Sequence, residues 1–178
     1  AAGTPRVERL IGVWRAEPAR RRGRTVVLVP RANPDGMHEG MRGNRRGVDL
    51  NRNFPARNRR ERATSGAAAL SEPEARVLHD VLVRFRPARI VSLHEPLACL
   101  DYDGPGMSLA VAMSSVCPLP VRRLGGRPGS LGSFAGEDLG IPIITMELPG
   151  SAARWSSARL WSTYGEALLV AVAGVPTS

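Results

Sequence analysis

Arg89-Ile-Val-Ser-Leu93-His94 is a short apolar run that follows Pro87 and closes on an imidazole. It is too short for a helix and rich in β-branched residues, so it reads as a buried strand with His94 at its carboxyl end. Ile141-Pro-Ile-Ile-Thr-Met-Glu147-Leu148 reads the same way, despite Pro142 near its start, and carries Glu147 at the matching end. Thr25-Val-Val-Leu-Val29 is a third such run. Between the runs the period changes to that of a helix. Val77, Leu78, Val81, Leu82 and Phe85 follow Ser71-Glu-Pro-Glu74, which has the form of a capping box, and Pro87 ends the segment. Thr4-Pro5 reads as N-cap and first-turn proline of a helix carrying Val7, Leu10, Ile11 and Trp14, ended by Pro18 and the Arg20–Arg24 cluster. Further helices are expected over 106–116, closed by Pro118, and over 158–172, with Leu160, Trp161, Tyr164 and Leu168 inward. Val121–Leu124 reads as a short strand and Gly125–Gly136 as a Gly/Ser turn segment. Strands alternating with helices imply an α/β fold, a mostly parallel mixed sheet flanked by helices, in one domain over residues 1–178.

Composition narrows the function classes. With 178 residues and 43% apolar content the chain can bury a core. No apolar run approaches the roughly 20 residues that span a bilayer, so no membrane partner is expected. The net charge is +9 and every cation is Arg. The arginines are spread along the chain and aromatics for base stacking are few, so no specific nucleic-acid partner is expected. Cys99 and Cys117 are too few for a disulfide framework or a four-cysteine zinc site; the plain reading is two buried thiols, with geometry deciding on a bridge.

Residues 31–70 are rich in Gly, Asn, Arg and Pro, too long a stretch for a passive connection in a compact domain, and are read as a functional loop. Within it lie Asn33-Pro-Asp-Gly36, Arg42 and Gly47-Val-Asp-Leu-Asn51-Arg52-Asn-Phe54. A guanidinium offers a planar fork to a carboxylate, and Asn51 adds a donor beside it. Arg42 is a further cation able to hold an oxyanion. The plainer account is a polar turn whose Asn and Asp side chains cap their own backbone. His94 is a neutral imidazole suited to a metal or to a structural hydrogen bond. Glu147, in an apolar run, must be paired, metal-linked or shifted in pKa, which suits a general base or a strand-end ion pair. Since sites in open α/β sheets gather beyond the carboxyl ends of strands, these groups are expected to converge on one rim.

Taken in this order, Asn33-Pro-Asp-Gly, Arg42, Gly-Val-Asp-Leu-Asn51-Arg52-Asn-Phe, Ser-Leu-His94 and Glu147 resemble the zinc carboxypeptidase family. Leu93-His-Glu-Pro-Leu-Ala-Cys99 and Pro128-Gly-Ser-Leu-Gly-Ser133 are similar to its bacterial murein peptide amidase A branch. The resemblance runs from about residue 5 to about residue 170. It implies a Zn2+ cofactor with His94 as one ligand, and Glu147 as the base that activates the zinc-bound water. Arg42 is implied to polarise the scissile carbonyl, and Asn51 and Arg52 to grip the substrate's free carboxylate. The implied partner is murein tripeptide, cut between γ-D-glutamate and meso-diaminopimelate, or another peptide with a free carboxylate; the implied compartment is the cytoplasm. Glu95 is proposed, from its charge and its adjacency to His94, to attract the diaminopimelate ammonium. A general carboxypeptidase or deacylase, or a metal-free peptide binder, are the alternatives.

Two departures qualify the resemblance. The family's remaining ligands form a His-x-x-Glu motif, yet positions three after His38, His79 and His94 are Met41, Leu82 and Leu97. N-terminal truncation, with loss of the first strands and of activity in this chain alone, is the expected explanation, ahead of a natural pseudoenzyme. The stretch before the Gly-Ser motif also lacks the Tyr that many members carry; Arg122, Arg123 or Arg127 stand there instead.

Overall fold

The structure, a computed structural model, describes residues 3–16 and 23–173. Its elements are helices α1 (Gly3–Ala16), α2 (Pro34–Glu39), α3 (Pro73–Phe85), α4 (Met107–Ser114) and α5 (Ser157–Ala173), and strands β1 (Ile90–His94), β2 (Leu97–Asp103) and β3 (Ile143–Pro149). A 3-10 turn spans Leu50–Arg52, another Gly150–Arg154, and a π-helical turn Gly132–Asp138. Pro18 and Arg20–Arg22, expected to end the first helix, lie outside the described residues, as do the side chains of Thr4, Pro5 and Trp14.

The expectation of a mostly parallel sheet is corrected. Strand order is β1-β3-β2, with β3 central. β1 runs parallel to β3, but β2 runs antiparallel to it, so among the described residues the sheet is small and evenly mixed. β2 was not anticipated, because Asp101 and Asp103 break the apolar pattern of a buried strand. Thr25–Val29 forms no regular element and joins no ladder among the described residues. Its run of apolar residues suggested cover on both faces, yet Leu28 packs on the core while Val27 and Val29 stand 41% and 38% exposed. Val121–Leu124 contributes a single parallel bridge, Val121 to Leu100, not a strand.

α3 also departs from its expected form. Glu72, not Ser71, is its N-cap, with Pro73 in the first turn and no side-chain capping bond. The Ser71 hydroxyl donates instead to Glu72 Oε1 at 2.8 Å, and Glu74 accepts from Asn44 at 3.3 Å. The inward stripe is Ala75, Leu78, His79 and Leu82, while Val77 and Phe85 face solvent. The latter half of the expected Gly125–Gly136 turn is the π-helical turn, buried from Gly132 to Gly136.

The two faces of the sheet have opposite characters. Side chains alternate across a strand, so the register assigns each residue to a face. Leu93, Met146 and Leu100 are neighbours across the three strands, and with Val91, Ile144 and Leu148 they pack on α1, α4 and α5. From α5 this core takes Leu160, Tyr164, Leu168 and Leu169. The other face carries His94, Glu147 and Cys99 in one row and Ser92, Thr145 and Asp101 in the next. Only its last row, Ile90, Ile143 and Asp103, reaches an apolar cluster, formed with Phe54, Leu82, Phe134 and Ala135.

Candidate active site

The loop expected to grip a carboxylate is held together by its own hydrogen bonds. Asn33 caps α2 through its side-chain oxygen, which accepts from Gly36 N at 3.0 Å, and its amide donates to Gly43 O at 3.0 Å. That fixes the approach to Arg42. Asp49 caps the next turn by accepting from Asn51 N at 3.0 Å through Oδ1, and takes Arg42 Nε at 2.8 Å through Oδ2. The polar turn anticipated from the sequence and the cation site are thus one arrangement, in which Asp49 caps its own backbone and orients Arg42. Asn51 Oδ1 accepts from Leu131 N at 2.9 Å, which turns the Asn51 amide group away from that contact. Arg52 Nη1 donates to the Asn51 carbonyl.

Asn53 supports this loop from beneath. It is fully buried, donates to Ser65 O at 2.8 Å and Ala68 O at 2.9 Å, and accepts from Glu72 N at 3.1 Å. Glu72, also buried, accepts from Asn44 at 2.8 Å with Arg46 alongside at 3.7 Å. Burial pushes the Glu72 carboxyl up, but the hydrogen bonds from Asn44 and Ser71 and the charges of Arg46 and Arg76 hold it below its ordinary value. The Pro-Gly-Ser motif is the other wall. Gly129 has φ +71°, and a Cβ there would lie 2.5 Å from the Arg52 carbonyl, so only glycine allows this approach. Asn58 Oδ1 accepts from Gly129 N at 3.1 Å, tying the two loops together.

A cavity of about 240 Å³ opens between these loops and the polar face of the sheet. Arg42, Asn51, Arg52, His94, Glu95 and Glu147, all the residues singled out from sequence, line it. His94 and Glu147 are partners across the parallel β1–β3 pair, which sets them side by side at the carboxyl ends of both strands. Burial lowers the His94 pKa, and Arg42 and Arg52 lower it further against the pull of Asp49, so the imidazole is neutral near pH 7. Burial raises the Glu147 pKa; Leu97 N, 3.4 Å from Oε2, partly offsets this, while Asp101 adds to it. Arg52 is held below its usual range by burial, with Asp49 opposing and Arg42 and Arg127 adding.

The cavity also holds residues that sequence reasoning passed over. Asp101 and Asp103, on the unanticipated strand, line it together with Thr145. Of the three arginines standing where a Tyr was missed, Arg127 lines the cavity, whereas Arg123 pairs with Glu137 at 3.3 Å over the Tyr102 ring. Asp49 had been quoted only as part of a motif; its place two residues before Asn51 was the available signal for a cap. Cys99 and Cys117 are both free thiols, and burial raises the pKa of each.

Residues 19–100 match the zinc carboxypeptidase family. Murein peptide amidase A of Escherichia coli (strain K12) is 38% identical over 74% of this chain. The crystal structure of murein-tripeptide amidase MpaA from Escherichia coli O157 superposes with a TM-score of 0.67 at 35% identity, covering 84% of this chain and 68% of that one. The chain belongs to the zinc carboxypeptidase family. Carboxypeptidase A from Helicoverpa armigera shares the fold at 18% identity and a TM-score of 0.62, over 96% of this chain and 58% of its own. This family member spans 60% of the length of the Escherichia coli amidase. Among its described residues no helix is long and apolar enough to cross a membrane.

The family implies Zn2+, and the donors can be tested against that. His94 is suitably neutral and faces the cavity, but among the described residues no three His, Cys, Asp or Glu side chains group so as to hold a metal. These side chains alone therefore do not fit a catalytic zinc, which takes three protein ligands.

Proposed function

We propose that this chain provides the substrate-gripping and proton-transferring part of a zinc-dependent amidase acting on murein peptides, between γ-D-glutamate and meso-diaminopimelate. The observation that carries the reading is that Arg42, Asn51, Arg52, His94 and Glu147 line one cavity. It is supported by the likeness to the murein peptide amidase of Escherichia coli.

In this reading the substrate's terminal carboxylate enters between Arg52 and the Asn51 amide, two donors held in place before binding. Arg42 keeps its Nε on Asp49 and turns its remaining N–H groups toward the scissile carbonyl oxygen, where negative charge develops. Glu147, with its raised pKa, takes a proton from the attacking water and returns it to the departing amine. His94 serves as one metal donor. The sequence contains no His-x-x-Glu pair, so no step is routed through zinc, and these residues alone are proposed to bind substrate without cutting it. The cytoplasm, where murein peptides are recycled, is the compartment that goes with this role.

The test separates grip from chemistry. Isothermal titration of the 178-residue chain with L-alanyl-γ-D-glutamyl-meso-diaminopimelate should show binding, lost in Arg52→Ala. Hydrolysis should appear only when a His-x-x-Glu segment and zinc are supplied together. Absence of tripeptide binding would end the reading. A metal-free peptide binder is the second reading, favoured by the lack of a three-donor group among the described residues; it predicts binding without hydrolysis even after that segment is supplied.

A further inference from the structure

Each of the two loops that wall the cavity places a guanidinium in its lining. Arg52 stands on the Leu50–Arg52 turn and Arg127 on the loop that leads into the Pro-Gly-Ser motif. The loops touch through backbone, where Phe54 N donates to Gly129 O at 3.0 Å and Gly129 makes its close approach to the Arg52 carbonyl. Arg42 pairs with Asp49, and Arg52 donates to the Asn51 carbonyl. Arg127 has neither an ion pair nor a side-chain hydrogen bond among the described residues. Asp101 and Glu147 line the same cavity without pairing with it. Burial is the first cause at both, and their pKa values stand raised in spite of the Arg127 charge.

An exposed arginine is ordinarily a solvated charge. What sets this one apart is the backbone beneath it. The Arg127 carbonyl accepts from Ser130 N at 3.0 Å and from Ser133 Oγ at 2.8 Å. Pro128 follows with its fixed φ, and Asn58 Oδ1 accepts from Gly129 N at 3.1 Å. On the other side Leu124 N donates to Asp101 Oδ1 at 2.8 Å, and a Cβ on Gly126 would come 2.7 Å from the Ser133 hydroxyl. The stretch is fastened at both ends. Arg127 is therefore presented to the cavity by a held backbone while its five N–H groups stay unengaged. A planar fork of that kind matches a carboxylate. One carboxylate on Arg52 would still leave Arg127 without a counter-ion.

We infer that Arg127 is a specificity-determining residue that binds a second carboxylate of the peptide whose terminal carboxylate Arg52 grips. This rests on the peptide-site reading above and deepens it, by naming the residue that reads the ligand beyond its terminus. It also separates the three arginines that stand where a Tyr was missed. Arg123 is held by Glu137, Arg122 does not line the cavity, and Arg127 does. A murein peptide offers two groups of this chemistry. One is the α-carboxylate that a γ-linked D-glutamyl residue leaves uncoupled, and the other is the side-chain carboxylate of the last residue. An α-linked peptide of neutral residues has neither, so Arg127 discriminates against ordinary C-terminal peptides.

Calorimetry on the 178-residue chain tests it without requiring catalysis. Three probes share the terminal carboxylate. They are L-alanyl-γ-D-glutamyl-meso-diaminopimelate, the same peptide with the glutamyl α-carboxylate turned into its amide, and the same peptide ending in L-lysine, which keeps the amine and lacks the side-chain carboxylate. The wild type should bind the first about ten-fold more tightly than at least one of the others, and the weaker probe identifies the carboxylate that Arg127 holds. Arg127→Gln removes an exposed side chain that makes no bond, so the fold is kept. It should weaken the first probe by that factor and leave the weaker probe unchanged, so that the preference falls to unity. A preference that survives Arg127→Gln would place the second carboxylate elsewhere and overturn the proposal. Equal weakening of all three would make Arg127 a further grip on the terminal carboxylate, and no change in any would make it a solvated charge; both overturn the proposal and leave the peptide-site reading standing. A wild-type chain that binds none of the three overturns the peptide site itself, and this inference with it.

Discussion

The two faces of one small sheet divide the work of this protein. Met146 and Glu147 are adjacent in β3, yet Met146 lies in the core between Leu93 and Leu100, while Glu147 lies in the cavity between His94 and Cys99. The same backbone ladder positions both. The difference teaches that stability and chemistry are here separated by the two-residue period of a strand, not by distance along the chain. The apolar face can be tested for stability alone, and the polar face for binding at little cost in stability, or even with a gain.

The largest effect is expected on the apolar face. Met146→Ala should lose about 3–4 kcal/mol in urea unfolding, the range for emptying a fully buried site. Its neighbour Thr145→Ala, partly exposed on the other face, should lose less than about 1 kcal/mol. Equal losses would deny the division. Next comes the strut under the binding loop. Asn53→Leu strands the carbonyl of Ala68 and the N–H of Glu72 and leaves the Ser65 carbonyl only its longer contact from Arg59, and should cost about 3 kcal/mol. Peptide binding should weaken with it, because Arg52 is the preceding residue.

The apolar face was the legible half. Helical spacing gave α4 and α5 nearly to their ends, and β-branched runs gave β1, ending on His94, and β3, which runs two residues past Glu147. The failures share a cause. β2 alternates buried carboxylates with apolar residues, so its inward side reads as polar surface, although it is a strand whose inner face borders the cavity. Local pattern and fold disagree where function intrudes. Thr25–Val29 failed for a different reason. A run of five strand-forming residues states a propensity, but a strand needs a ladder partner, and the described residues supply none. The residues expected at a site, which line one cavity, were picked out through their order along the chain. The struts Asn53 and Glu72 could not be, because a buried hydrogen bond to a residue far along the chain leaves no periodic trace.

On the polar face the sign of a mutation should reverse. Asp103 has a folded pKa of about 6 against an ordinary 3.8. The folded state therefore binds its proton more tightly, and stability falls as pH rises between those values. Asp103→Asn removes the penalty. At pH 7 it should stabilise the protein by about 2–3 kcal/mol, at 1.36 kcal/mol per unit of pKa difference. Unfolding free energies measured at pH 4 and pH 7 should converge in the variant. A loss of stability at pH 7 would show that Asp103 has a partner after all.

Glu72 sharpens the contrast to its smallest and most diagnostic form. It and Asp103 are equally hidden carboxylates, one in the scaffold and one in the cavity. Glu72 is surrounded by donors, Asn44, Ser71 and Arg46, which favour its charged form and hold its pKa below the ordinary 4.5. Its contribution is therefore fully present above that value and is lost as pH falls through the lower folded pKa. Glu72→Gln should cost about 1–2 kcal/mol at pH 7, the worth of charge-assisted hydrogen bonds, and the cost should fade in acid. The two variants thus predict opposite pH slopes from the same residue class and the same burial. If Asp103→Asn and Glu72→Gln shifted stability in the same direction at pH 7, burial alone would be setting their energies. The distinction between a satisfied strut and an unpartnered carboxylate would then have no physical basis.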